Sequence, residues 1–285
     1  MSAARILVTG ASGQLGQCLK ATIPEALNEQ VIWADKEQLD ISNSQQLSSY
    51  FESHKISHCI NTAAYTAVDQ AESAAQQAFL INATAVHKLA ELCAQHEVVL
   101  IHPSTDYVFD GKAAKPYEED DPIAPPNVYG ASKAAGEVAI RSHLKQHFII
   151  RTSWLYSPYK GNFYTAIRKK LLGGESLKIT TEQTGTPTNG LDLARFIWDL
   201  IVEDRKEYGT YHYSNTGLGT WFDFAMAIAE GLGKNYTNQL ASTAHYATFA
   251  ARPAYSVLSK EKIKATFDVQ PPDWKDSLHQ LTQHE

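Results

Sequence analysis

"RILVTGASGQLG" (residues 5–16) decides the fold. The short apolar, β-branched run through Val8 stops at Gly10, and "QLGQCLKATI" (14–23) then takes helical spacing. Strand, tight turn and helix in immediate succession open a Rossmann-like, doubly wound α/β sheet. Gly10, Gly13 and Gly16 stand in a Gly-x-x-Gly-x-x-Gly pattern, not the Gly-x-Gly-x-x-Gly of ordinary dehydrogenases. Glycine lets the chain turn sharply and lets a pyrophosphate approach the first helical turn. Free N–H groups and the positive end of the helix dipole face it there.

Working outward, "VIWAD" (31–35) reads as a second buried strand and "LDIS" (39–42) as a short third one. A helix follows, with its cap near 42–44. "SHCINTAA" (57–64), "VVLIHPST" (98–105) and "FIIRTSW" (148–154) are further strands. A long Ala-rich helix around Phe79, Val86, Leu89 and Cys93, and a helix over "NVYGASKAAGEVAIRSHL", separate them. Nearly continuous apolar strands alternating with helices indicate a parallel sheet covered on both faces. After Trp154 the pattern loosens. Residues 1–153, together with about 186–214, read as an NAD(P)-binding domain. Residues 154–285 read mainly as a smaller, interleaved α/β substrate-binding lobe.

The 285 residues, 20% of them charged with a net charge of −6, describe a globular chain that does not bind nucleic acid in bulk. No apolar run reaches the roughly 18 residues of a membrane span. Cys18, Cys59 and Cys93 form no CxxC pair, which suits reduced thiols in a cytoplasm. The chain enters its first strand at once, leaving no room for a signal peptide. His54 and His58 stand four apart but straddle a helix and a strand, so no metal site is expected.

Asp35 ends the second strand 19 residues after Gly16, close to the ~20 expected of the acid that binds the adenosine ribose. A carboxylate there accepts from a diol and repels a 2′-phosphate, while Lys36 softens the repulsion. NADH is favoured and NADPH tolerated. Tyr129 and Lys133 stand one helical turn apart, on one face. A nearby ammonium stabilises a phenolate, which makes the phenol a better general acid for a carbonyl receiving hydride. Thr105 lies at the carboxyl end of its strand, the edge where doubly wound sheets bind ligands. Arg252, in "ARP", has the forked geometry that suits a diphosphate. The basic run Arg168 to Lys170 reads as a solvated helix end.

"TGASGQLG", "NTAAYTAVDQAE", "STDYVFDGK", "YGASKAAGE" and "RTSWLY" resemble the extended short-chain dehydrogenase/reductase superfamily. With "GNF", "GTPT" and "ARPAYSVLS", the chain is similar along nearly its whole length to the dTDP-4-dehydrorhamnose reductase family. The resemblance implies Tyr129 as proton donor, Lys133 as its partner on the cofactor ribose, and Thr105 as the hydroxyl on the substrate's C4 oxygen. It implies Gly13, Gln14 and Leu15 as the pyrophosphate cradle and Asp40-Ile41 at the adenine. Ala63, Ala64 and Tyr65 fall on the nicotinamide side, with Asp106 and Trp154 at the sugar. The implied reaction is NADH- or NADPH-dependent reduction of dTDP-4-dehydro-L-rhamnose in dTDP-rhamnose and lipopolysaccharide precursor synthesis.

Two departures bear on this. Family members that dimerise through magnesium carry a glutamate in the glycine turn, where this chain has "GQLG". No metal is expected, and a homodimer would need another basis. Dehydratases of the superfamily carry Asp-Glu after the threonine, whereas Asp106 is followed by Tyr107. A non-catalytic NAD(P)-binding regulatory subunit and another sugar-nucleotide epimerase or reductase remain as alternatives.

Overall fold

The computed structural model describes residues 5–244 and 247–283. The first part of the chain runs β1 (Arg5–Thr9), α1 (Gln14–Ala21), β2 (Val31–Ala34), α2 (Ser44–Ser53) and β3 (Ile56–Asn61). It continues through α3 (Val68–Ala71), α4 (Ala75–Phe79), α5 (Ala85–Gln95), β4 (Val99–Thr105), α6 (Val128–His143) and β5 (His147–Thr152). Then come β6 (Leu155–Tyr156), α7 (Phe163–Leu172), β7 (Leu177–Thr180), β8 (Thr184–Gly185), β9 (Thr188–Asn189) and α8 (Gly190–Val202). The last part holds β10 (Gly209–His212), β11 (Gly219–Thr220), α9 (Trp221–Leu232), β12 (Leu240–Thr243), α10 (Glu261–Phe267) and α11 (Trp274–Gln283).

Six strands form one parallel sheet in the order β10-β5-β4-β3-β1-β2. Their side chains alternate between two cores, as the pleat dictates. Ile6, Val8, Ile101, Phe148 and Ile150 pack against α1 and α8. Leu7, Leu100 and Ile149 pack on the other face with α2, α5 and α6. Burial on both faces is why the strands are largely apolar through their middles. The chain moves outward from β1 to β2 and returns to β3 on the other side. This reversal opens a crevice at the carboxyl ends of β1 and β3.

The smaller lobe gathers α7, α9 and α11 around Tyr156, Tyr164, Phe224 and Trp274. Three two-stranded pairings, β7 with β12, β8 with β11 and β6 with β9, flank them.

One local expectation is corrected. "LDIS" is a turn, not a strand, because Asp40 Oδ1 accepts from both the Ser42 amide (2.9 Å) and its hydroxyl (2.6 Å). Such side-chain bonds compete with a strand ladder. Leu39 and Ile41 supply apolar alternation all the same, since both are buried in that turn. The long Ala-rich helix forms without a break from Ala75 to Gln95, with a π segment at Leu80–Thr84 between α4 and α5 that leaves Asn82 buried.

Candidate active site

The glycine turn sits in the crevice. Gly10 has φ +64°, and a Cβ there would lie 2.6 Å from the Ala63 nitrogen, so the ends of β1 and β3 touch only because residue 10 has no side chain. A Cβ on Gly16 would lie 2.6 Å from the Ala11 carbonyl oxygen, and one on Gly13 at 3.0 Å from that of Gly10. Gly13 caps α1 without a side chain, and the first helical turn holds no acid. The amides of Gln14 and Leu15 therefore meet no competing carboxylate, which is the arrangement an incoming diphosphate requires. Leu15 is buried and anchors the helix, while Gln14 Nε2 donates to the Leu155 carbonyl (3.1 Å).

Asp35 lies one strand over, at the end of β2. Its Oδ1 accepts from the amides of Glu37 (3.0 Å) and Gln38 (3.2 Å), so one carboxylate oxygen is committed to the turn. Lys36 leans toward Asp40, 4.0 Å away. Ala63, Ala64 and Tyr65 follow β3. Asn82, on the π turn, clasps the backbone of Tyr65 by accepting from its amide (2.8 Å) and donating to its carbonyl (2.9 Å). Sequence reading passed over Asn82. Its signal was an amide inside an otherwise helical, Ala-rich stretch.

Thr105 and Asp106 occupy the carboxyl end of β4, both buried. Thr105 Oγ1 donates to Asp106 Oδ1 (3.0 Å). Burial pushes the Asp106 carboxyl up to about 6, against the pull of the Ser256 and Thr105 hydroxyls. Tyr129 begins α6, whose cap is the Asn127 side chain accepting from the Gly130 amide (2.8 Å). Gly130 is required there, because a Cβ would lie 2.1 Å from the Tyr107 carbonyl. This contact brings the start of α6 against the end of β4 and sets Tyr129 beside Thr105.

The expected influence of Lys133 on Tyr129 is absent. Burial raises the phenol above its ordinary range, Asp106 and Tyr107 raise it further, and only the Thr105 hydroxyl pulls it down. The reason is geometric. Lys133 Nζ, buried, donates to the Pro103 carbonyl (2.8 Å) and lies 3.1 Å from His102 Nε2. Burial in turn lowers the ammonium to about 8, with Glu137 one turn further on opposing the shift. Glu137 is itself clamped by Arg151 through Nε (2.9 Å) and Nη2 (2.8 Å), and by Ser104 Oγ (2.6 Å).

Trp154 and Arg252 have partners of their own. Trp154 has φ +45° and stacks on Trp221, with centroids 3.7 Å apart and planes 7° off parallel. Its ring fills the space a side chain at Gly185 would need. Arg252 Nη2 pairs with Asp69 Oδ2 (2.8 Å) and Nη1 with the Tyr107 hydroxyl (3.1 Å). Among the described residues, metal-ligating side chains converge at His87, Glu91 and His143, exposed on α5 and α6. That group lies about 20 Å along α6 from Tyr129. Among the described residues no helix is long and apolar enough to cross a membrane.

The model of the family described as "RmlD substrate binding domain" matches residues 4–285. The chain belongs to this family. It is 37% identical over 288 residues to a dTDP-4-dehydrorhamnose reductase of Aggregatibacter actinomycetemcomitans, covering 98% of both chains. It is also 37% identical to the spore coat polysaccharide biosynthesis protein SpsK of Bacillus subtilis, covering 98% of this chain and 97% of that one. The crystal structure of dTDP-4-dehydrorhamnose reductase from Bacillus anthracis in complex with NADP superposes with a TM-score of 0.92 at 35% identity, over 100% of each chain. In this chain the glycine turn and the Thr105 strand end lie at the same carboxyl edge of the sheet, with the start of α6 packed against the end of β4.

Proposed function

We propose that this protein is an oxidoreductase that reduces the 4-keto group of dTDP-4-dehydro-L-rhamnose to give dTDP-L-rhamnose, using NADPH or NADH. The arrangement that supports the reading is Thr105 at the carboxyl end of β4 and Tyr129 in the first turn of α6, at the same sheet edge as a glycine turn with room for a dinucleotide. The full-length likeness to named reductases supports the substrate.

The chain's residues fit the cofactor. Gly10, Gly13 and Gly16 leave room where side chains would intrude, and Gln14 and Leu15 offer amides to the diphosphate. Asp35, with one oxygen committed and one left, would hold the adenosine ribose, and Asp40-Ile41 would edge the base. Ala63, Ala64 and Tyr65 would border the nicotinamide, and Lys133 would hold its ribose. When bound, the nicotinamide supplies the hydride that forms the new C–H bond at C4. Thr105 hydrogen-bonds the C4 oxygen and orients it. Tyr129 gives its phenolic proton to that oxygen as negative charge develops there, and solvent restores the proton afterwards. A phenol pushed upward by burial stays protonated until charge appears beside it. Asp106, Trp154 and Arg252 are proposed contacts to the sugar nucleotide. For Arg252 this requires a diphosphate to compete with Asp69 for the guanidinium.

We place the protein in the cytoplasm, and sedimentation at micromolar concentration tests whether it is a homodimer. The decisive assay supplies dTDP-4-dehydrorhamnose with each cofactor and follows nicotinamide absorbance and product together. Stoichiometric dTDP-rhamnose is expected. No oxidation of either cofactor would overturn the reading.

A further inference from the structure

A buried polar chain runs under the sheet's carboxyl edge from the site toward β1. Lys133 Nζ lies 3.1 Å from His102 Nε2, and His102 Nδ1 lies 3.1 Å from Asn61 Nδ2. Asn61 Oδ1 lies 2.6 Å from Thr9 Oγ1. The four side chains come from β1, β3, β4 and α6, and all are nearly or wholly buried. Polar side chains on the inside of four elements are costly unless each is satisfied.

The donor and acceptor arithmetic constrains the protons. A neutral imidazole has one N–H and one lone pair. His102 is kept neutral by burial, reinforced by the Lys133 charge. If Asn61 presents its amide N–H to Nδ1, the proton sits on Nε2 and points at Lys133, which suits an uncharged amine. If the Asn61 amide is turned end for end, its oxygen accepts from Nδ1–H and Thr9 Oγ1 accepts from its nitrogen. Nε2 is then a free lone pair for an ammonium. Both arrangements fit the same heavy-atom positions. Lys133 decides between them. It has a carbonyl acceptor in Pro103 and a carboxylate, Glu137, one turn along α6, both of which favour its charged form.

We propose that His102 is a positioning residue that accepts a hydrogen bond from the Lys133 ammonium through Nε2, keeping it charged and fixed behind the site, with Asn61 and Thr9 setting the imidazole tautomer. The role matters for turnover only if the reductase reading holds. The hydrogen bond itself does not depend on that reading. Among the described residues, the groups that face Lys133 are His102 and the Pro103 carbonyl from β4, Glu137 from α6 and, behind Glu137, Arg151 from β5.

The test compares two amides. His102→Gln can place an oxygen where Nε2 was, keeping the contact to Lys133. His102→Asn can reach Asn61 but not Lys133. The Lys133 13Cε resonance, assigned by its loss in Lys133→Met, reports the amine's titration without any substrate. In His102→Asn the lysine pKa should fall by about one unit, while His102→Gln leaves it near the native value. Asn61→Leu, which keeps the imidazole but removes its tautomer partner, should also lower it. A rise in His102→Asn would mean that His102 donates to an uncharged amine, and no change would mean that it is only packing. Either result overturns the proposal. Where the His102→Asn protein does not fold, the sign of the Asn61→Leu shift decides. With dTDP-4-dehydrorhamnose, the alkaline limb of kcat should move with the lysine pKa in each variant. Native protein without turnover would refute the substrate reading and leave the titration result standing.

Discussion

Replacing Glu137 by glutamine removes a charge from the centre of the molecule while keeping its shape. In the native protein the carboxylate accepts two bonds from Arg151, one from Ser104 and one from Arg141 Nη1 (3.0 Å). Glu137 and Arg151 are 0% and 2% exposed, so solvent screens little of their interaction. Breaking a buried pair by removing one partner costs about 3–5 kcal/mol, because the remaining charge stays buried without its counterion. At roughly 2–4 °C per kcal/mol for a chain of this class, Tm should fall by about 6–20 °C. The pH dependence has a definite sign. Arg151 holds the Glu137 carboxyl below its ordinary 4.5 despite burial. The stabilisation is therefore complete above that value and is lost as pH falls through the lower folded value. The gap between native and Glu137→Gln should be widest near neutrality and narrow on acidification. Urea unfolding across that range measures it. A double variant, Glu137→Leu with Arg151→Met, should lose less than Glu137→Gln, since apolar replacement of both partners is often neutral. A single variant within about 1 kcal/mol of native at neutral pH would refute the reasoning.

Tyr129→Phe should lower kcat by about 10²–10⁴ while NADPH affinity, measured by fluorescence titration, stays native. Asp106→Asn should raise stability at high pH. The carboxyl titrates at about 6 when folded against 3.8 unfolded, so the folded state binds its proton more tightly. Its destabilising contribution thus grows as pH rises through that window and reaches about 3 kcal/mol above it. Chemical unfolding should show the variant's advantage at pH about 8 and almost none at pH about 4. Gly10→Ala places a methyl against the Ala63 backbone at positive φ, and should both lower Tm and weaken NADPH binding at least about tenfold. Native-strength binding by the Gly10→Ala protein would show that the turn does not carry the diphosphate.

Much of the crevice was legible because its chemistry is local. Gly10, Gly13 and Gly16 have a backbone reason to be glycine, and Tyr129 with Lys133 has helical spacing. What the sequence hid was partnership between distant segments. The spacing of Tyr129 and Lys133 put both on one helix face, yet it could not reveal that Pro103 and His102 take the ammonium. Arg252 read as a free fork for a diphosphate, but Asp69, 183 positions earlier, already holds it. "LDIS" alternated like a strand because a turn buried Leu39 and Ile41, and Asp40 bonding Ser42 leaves no trace in apolar periodicity. The π turn was invisible for a similar reason, since one extra residue scarcely alters an Ala-rich pattern. Its effect, Asn82 fastening Tyr65, is a contact across 17 residues.

The sheet takes its outermost strand beside β5 from Gly209–His212, and α8 covers α1. A ribosome must therefore make roughly two hundred residues before the first helix has its roof, given that α8 spans Gly190–Val202. Until β10 arrives, β5, buried at every position in the finished molecule, is a naked apolar edge able to pair with another chain. A fragment cut after residue 153 would inherit that condition permanently. It should aggregate on expression rather than yield a small nucleotide-binding module, whereas the intact chain closes the edge with its own later residues.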